Sequence, residues 1–461
     1  MYSHLLRIIL YILFTYLIGY NLLLLRYKKT LRKNNLFFKL GLSWAMGNLI
    51  LMVILYGLAL TNNLNLVNYR NFSLGLWLLI LITSGRFFKN WRKKSVKIQK
   101  QDWLILFVLL LFFSSLIKHS LYTPLNAWDA MAIWMLKAKS FFYANGAWDN
   151  LLYKNNLFEY SHREYPIGLP LLAAGYYRII NFVNDQTVQL YLLFFYLNIV
   201  FLFFGFMKQW LPKISTLIRT LVTLSLFILP NFMLYAHNGY ADMLMSFYIS
   251  ISIILFIGLM EGKKIKDKMM TMELLLMTSA AGMLIKNEGY SFLVIVLILT
   301  GLVLGKELKK ISRSNIVVSL VILLVGLAIQ AEWKHFTNVR GLGFTFAEAK
   351  ILANGLPRMQ AIFNRYLLEF LNTDHYSLVL IVAWLIAMWQ YSYLVIRKKF
   401  RILWPSLIIG LQLAAYTLIY FISPHPLEWQ MGSSVYRLIL HLLPALFLII
   451  VYQASKMAEL S

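Results

Sequence analysis

Five short motifs in this sequence group side chains whose types could do acid, base or anion chemistry. Asn126-Ala127-Trp128-Asp129 sets a carboxylate just past an apolar run, where it serves either as the cap of a helix start or as a general base. His162-Arg163-Glu164-Tyr165-Pro166 groups four side chains that bind protons, phosphate or hydroxyls in front of a helix-opening proline. Its plainer reading is an interfacial anchor, since Arg and Tyr favour the headgroup level. In His237-Asn238-Gly239-Tyr240-Ala241-Asp242 the carboxylate stands at the mouth of an apolar run, where it is either a solvated cap or a functional acid at membrane depth. Lys286-Asn287-Glu288-Gly289 splits two apolar runs and offers a cation and an acid in a tight hairpin, or simply a mutual ion pair with a snorkelling lysine. His425, Glu428 and Trp429 precede Arg437 and His441, a set that lines a sugar-sized pocket or forms an aromatic belt.

The elements that must position these groups are membrane spans. The chain has 461 residues, 60% hydrophobic and 13% charged, whereas soluble domains carry about 25% charged residues. It therefore reads as one all-α polytopic membrane body. With no cysteine, disulfides, thiolate metal sites and a cysteine nucleophile are excluded. The net charge of +26 would suggest nucleic acid in a soluble protein, but the cations sit in loops between apolar runs, so no nucleic-acid partner is expected.

About thirteen windows have the length of a bilayer crossing: 5–26, 36–60, 73–88, 103–118, 187–206, 215–234, 240–260, 271–286, 289–305, 315–332, 375–396, 401–422 and 435–454. The first reads as a retained signal-anchor. Pro166 to Ile180 is apolar but short and is expected to lie at the outer surface. Under that assignment 29 of the 44 Lys and Arg fall on one side, in clusters 26–39, 86–100, 208–219, 263–268, 306–313, 397–401 and Lys456. The positive-inside rule makes that side cytoplasmic and puts the N-terminus outside. The location expected is a plasma (inner) membrane, with the acid chemistry on the extracytoplasmic face.

Two outer loops, about 119–186 and 333–374, are long enough to be functional. In the first, Trp128 to Phe142 reads as an interfacial helix with Met131, Trp134, Met135, Ala138 and Phe142 opposite Asp129, and Lys137 and Lys139 on the polar side. The second carries a similar stretch, Phe346 to Phe370, with Lys350, Arg358 and Arg365. No internal repeat or low-complexity linker is present.

In order and spacing these motifs resemble the GT-C class of membrane glycosyltransferases, which includes protein O-mannosyltransferases and bacterial aminoarabinose transferases. Asp129 matches the acid in the outer loop after the first core span, and Arg163 to Pro166 the charged-residue–proline element. Ala241-Asp242 and Lys286 to Gly289 match the later acid and the lysine hairpin. The stretch Leu427-Glu428-Trp429-Gln430 through Arg437 to Pro444 is similar to the end of a bacterial branch of the class. The likeness covers 101–461, leaving 1–100 as an N-terminal three-span extension. A single acid at Asp129 replaces the Asp-Glu pair of many O-mannosyltransferases, and the Trp-Trp-Asp signature of oligosaccharyltransferases is missing.

The resemblance implies an inverting transferase that takes a sugar from a polyprenyl-phosphate donor to a glycan, lipid or protein hydroxyl. It implies Asp129 and Asp242 as catalytic carboxylates, Asp129 as general base and Asp242 orienting the acceptor or serving as the alternative base. Both would also hold a divalent metal if one is used, and Arg163, Lys286 and Arg437 would be donor-phosphate ligands. His162, Glu164, Tyr165, His237, Glu288, His425, Glu428 and Trp429 would line the substrate pocket. Two other readings stay open: a lipid-linked oligosaccharide polymerase or ligase, and a transporter or flippase, which would want charges near the midplane.

Overall fold

The computed structural model describes residues 2–27, 35–65, 67–71, 73–75, 77–78, 102–146, 155–305, 307, 313–337, 355–423 and 425–460. Lys350, the basic cluster 86–100, residues 28–34 and most of 306–313 lie outside them.

The described residues are helical and contain no strand. In chain order the helices are α1 (Tyr2–Arg26), α2 (Leu36–Leu60), α3 (Asp102–Tyr122), a π-helical turn (Ala130–Met135) leading into α4 (Leu136–Tyr143), α5 (Gly168–Ile180) and α6 (Asp185–Trp210). Then follow α7 (Thr216–Phe227), α8 (Pro230–His237), α9 (Asp242–Glu261), α10 (Ile265–Ile285), α11 (Glu288–Leu304) and α12 (Arg313–Thr337). The last four are α13 (Gly355–Phe370), α14 (Thr373–Ile396), α15 (Trp404–Ile422) and α16 (Leu427–Ala458). Starts are set by polar caps where the sequence offers them: Asn35, Asn184 and Ser215 each accept a hydrogen bond from a backbone N–H in the first turn.

Ten of these helices are long and apolar enough to cross a membrane, and eleven when α7 and α8 count as one span bent by 72°. The bend falls where Pro230 cannot donate to the preceding turn. Of the other expected windows, 289–305 forms the 17-residue α11, and 73–88 lies mostly outside the described residues. The architecture is that of a multi-pass membrane protein.

Burial separates centre from rim. The apolar window of α9 is 94% buried, those of α12 and α14 only 22%. Accordingly α9 is apolar all round and is enclosed by α6, α10 and α16, whereas α12 and α14 turn leucines and valines outward to a lipid-like environment. Helices α1 and α2 pack on each other and on α5 and α6, and share one core with the rest. The hairpin that carries Lys286 and Glu288 is the tightest crossing near the site: a Cβ on Gly289 would lie 2.3 Å from the backbone of Gly282.

One expectation about the first outer loop is refined and another changes in part. Helix α5, expected to lie at the outer surface without crossing, is not among the helices long enough to span, and nearly every residue of it is packed against α1, α2 and α4. Its 13 residues span only about 20 Å, and it is held from the side by Arg7 to the Ile180 carbonyl (3.2 Å) and Tyr11 to the Leu172 carbonyl (3.4 Å). The buried face of 128–142 is shifted in part: Trp134, Met135 and Ala138 are buried as expected, but Met131 is 41% exposed and Phe142 only half-buried, while Ile133, Phe141 and Lys137 are buried. The wider π turn over Ala130–Met135 rotates the following residues, so a 100° step misplaces them.

Candidate functional site

Polar contacts show that the bundle has two distinct ends. One gathers Arg26, Asn35, Glu261, Lys268, Glu273, Arg401 and Lys456. The other gathers Asp129, Asp242, Lys286, Glu288, Arg437 and His441, drawn from four separate parts of the chain.

Asp242 is the hub of the second group. It opens α9 with no exposed surface, so it is not a solvated cap. Lys286 donates to its Oδ1 at 3.0 Å, and His441 Nε2 stands 2.8 Å from the same oxygen. Arg437 forks onto it through NH2 at 3.0 Å and Nε at 3.3 Å. A carboxylate only accepts, so Nε2 of His441 carries the hydrogen and Nδ1 takes the Tyr416 hydroxyl at 3.2 Å. His441 follows Arg437 by four residues, one turn of α16, which is why both reach one carboxylate.

The guanidinium of Arg437 has a second acid. Its NH1 stands 2.7 Å from Asp129 Oδ2, and its plane lies 4.6 Å from the centre of the Tyr240 ring. Asp129 makes no side-chain capping bond, so its partner is Arg437, and it is 18% exposed where Asp242 is 0%. Lys286 also reaches Glu288 at 3.3 Å. The mutual ion pair expected of that hairpin is thus present, but the lysine is buried and shared with Asp242 rather than snorkelling. Two of the three cations expected to bind phosphate, Lys286 and Arg437, are already held by acids.

The 162–165 turn stands next to this cluster. His162 stacks on Tyr165 (4.8 Å) and pairs with Glu164 (3.2 Å), and Tyr165 stacks on Trp134 and accepts a hydrogen bond from Trp333. Arg163 is partly buried within the same turn. Burial pushes Glu164 up, but His162, a backbone N–H and Lys137 outweigh it and hold the carboxyl below its usual range. Burial raises the Tyr165 hydroxyl, and Glu288, Glu164 and Asp129 add to that rise, which places the ring between the turn and the cluster.

Lys137 was expected on the polar face and is instead fully buried. Its ammonium donates to the carbonyls of Ser161 (3.0 Å) and His162 (2.7 Å) and lies near the rings of Trp134 and Tyr165. Burial pushes it down to about 7. This lysine fastens the 162–165 turn to the helix that carries Asp129.

Other expected pocket residues sit elsewhere. His237 packs edge-on against His119 (4.4 Å) and bonds the Met233 carbonyl. His425, Glu428 and Trp429 are outward-facing at the start of α16, two to three turns from Arg437, with the two rings 5.6 Å apart. Sequence reasoning passed over the pair Glu369 and His375, whose side chains bond and whose imidazole lies 5.3 Å from Tyr436. Only their spacing around the Asn372 cap signalled it.

Among the described residues no three His, Asp or Glu side chains are grouped to hold a metal ion. The two acids expected to share one are bridged by a guanidinium, an arrangement that does not fit a divalent cation. Compared with models of protein families, with curated proteins and with solved structures, the chain matches none.

Proposed function

We propose that the protein is an inverting membrane glycosyltransferase of the GT-C kind, moving a sugar from a polyprenyl-phosphate donor to an acceptor hydroxyl. One observation carries this reading: Asp129, Asp242, Lys286 and Arg437, picked out by motif order alone, meet in a single ion cluster at one end of the bundle. Of the two aspartates, Asp129 is the partly exposed one and is assigned as general base, while the enclosed Asp242 positions Lys286, Arg437 and His441. The acceptor oxygen attacks the anomeric carbon, its proton goes to Asp129, and the bond to the phosphate oxygen breaks with its electron pair on the leaving group. Tyr165, Glu164 and His162 border the sugar, and apolar helix faces receive the isoprenoid.

In this reading thirteen spans put the N-terminus and the ion cluster on the extracytoplasmic face of a plasma membrane. The likeness assigns 101–461 to the transferase and 1–100 to an extension. An impermeant thiol reagent should reach a cysteine placed at Trp429 and miss one at Lys264. The opposite pattern reverses the orientation.

The transporter reading draws support from the full burial of Asp242 and His441. Mass spectrometry of lipid-linked sugars and envelope glycans, in cells with and without the gene, separates the two. A glycan lacking one sugar while the lipid-linked donor accumulates supports transfer. An unchanged glycan profile overturns it.

A further inference from the structure

Arg437 belongs to two acids at once, and they hold it differently. Asp242 has no exposed surface, takes two of its nitrogens, and is itself pinned by Lys286 and His441. Asp129 takes the remaining NH1 alone, on the more exposed side. The half facing Asp242 is fixed, and the half facing Asp129 is the one that can change partner. Tyr240 under the guanidinium keeps its plane in place whichever anion NH1 meets.

We propose that Arg437 couples the base to the leaving group: when Asp129 takes the acceptor proton it releases NH1, and NH1 then meets the phosphate that departs. This rests on the reading of Asp129 as general base. The charges balance without any added group. Asp129 passes from −1 to neutral as the O–H bond breaks, and the donor phosphate passes from a monoanionic diester to a dianionic monoester as it takes the electron pair of the broken C–O bond. Total charge at the site is unchanged, while one cationic donor moves from the atom that lost charge to the atom that gained it. Stabilisation therefore appears as the leaving group's charge develops, which is where it accelerates a reaction. Arg437 is a positioning residue for Asp129 before the step and a phosphate ligand after it.

The coupling is read by binding, apart from turnover. Farnesyl phosphate stands in for the departing monoester, and its affinity is measured for the purified full chain in lipid nanodiscs. Asp129→Asn removes the competing charge and should tighten farnesyl phosphate about tenfold, the scale of a charge-assisted hydrogen bond. In an Arg437→Gln background the same Asp129→Asn change should tighten it hardly at all. Equal tightening in both backgrounds would mean that Asp129 acts only through its field, and the coupling is overturned. No tightening in either overturns it as well. Should Arg437→Gln fail to fold, Arg437→Lys takes its place, keeping a cation for Asp242 without a fork that spans both acids. If Asp129→Asn still transfers sugar, the base assignment falls by itself. If transfer is lost and the cycle shows no coupling, only this inference falls.

Discussion

The two ends of the bundle are both rich in ions but organise them in opposite ways. At the end away from the candidate site, charges close locally. Arg26 forks onto Glu273 with both bonds at 2.9 Å and Tyr27 adds a third, and Lys268 meets both oxygens of Glu307 at 2.8 Å. Lys456 does meet two acids, Glu261 and Glu459 at 3.0 Å each, but Glu459 is a near neighbour in sequence and 60% exposed, so solvent screens that pairing. These contacts staple helix ends together. At the site end, Lys286 and Arg437 are shared among Asp129, Asp242 and Glu288, so neither cation has a single acid. A set with shared partners can redistribute charge at low cost, while a closed pair cannot. Sharing among enclosed partners is what singles out the end proposed to do chemistry.

The sharpest way to break the contrast is Asp129→Asn. It should lower transfer by about 10²–10⁴-fold, the scale of a lost general base, while Glu273→Gln at the other end leaves transfer unchanged. Steady-state assays with a radiolabelled donor decide, and comparable losses in the two variants would erase the distinction.

Stability gives the next largest effect. Lys286→Met leaves the enclosed Asp242 short of a cation and should cost about 3–5 kcal/mol. Glu273→Gln, whose partner Arg26 is 41% exposed, should cost about 1.5–3 kcal/mol. Reversible denaturation in mixed micelles ranks them. The reverse order would make the stapled end the weaker point.

A smaller effect belongs to Lys137. Its folded value of about 7 lies below the ordinary 10.5, so between those two the unfolded chain binds more protons, and stability rises as pH climbs from about 7 towards 10.5. Lys137→Met should flatten that rise in thermal melts taken across the window. Smallest of all, Trp429→Ala, on a side chain 62% exposed, should shift stability by under about 0.5 kcal/mol and leave donor affinity alone. A large loss there would extend the site outward along α16.

What the sequence made legible was the multi-pass helical architecture, with ten or eleven of the thirteen expected windows recovered as helices long enough to cross, because long apolar runs and isolated charges at their ends are one-dimensional signals. The partners were not. Nothing in the spacing of Asp129 and Arg437, 308 positions apart, shows that one guanidinium serves both aspartates, since that depends on how α9 and α16 pack. Lys137 was misplaced for a related reason. Lysines are almost never fully buried, and only the carbonyls of a turn some 25 residues away make its burial tolerable. The bend at Pro230 could have been read, because proline is a local signal.

The π turn between Asp129 and Lys137 has a consequence for how this chain can vary. It packs one more residue into a turn than an α-helix would. A deletion of Ala132 would let the segment relax to a regular helix in which Asp129 and Lys137 keep nearly their present relative rotation, because the residue lost is the one the wide turn absorbs. An added residue has no such outlet: with Lys137 still fastened to its two carbonyls, the upstream end would swing by about 100° and carry the carboxylate of Asp129 away from Arg437. Length between these two residues is therefore freer to shrink by one than to grow by one, and a one-codon insertion there should be less tolerated than a one-codon deletion.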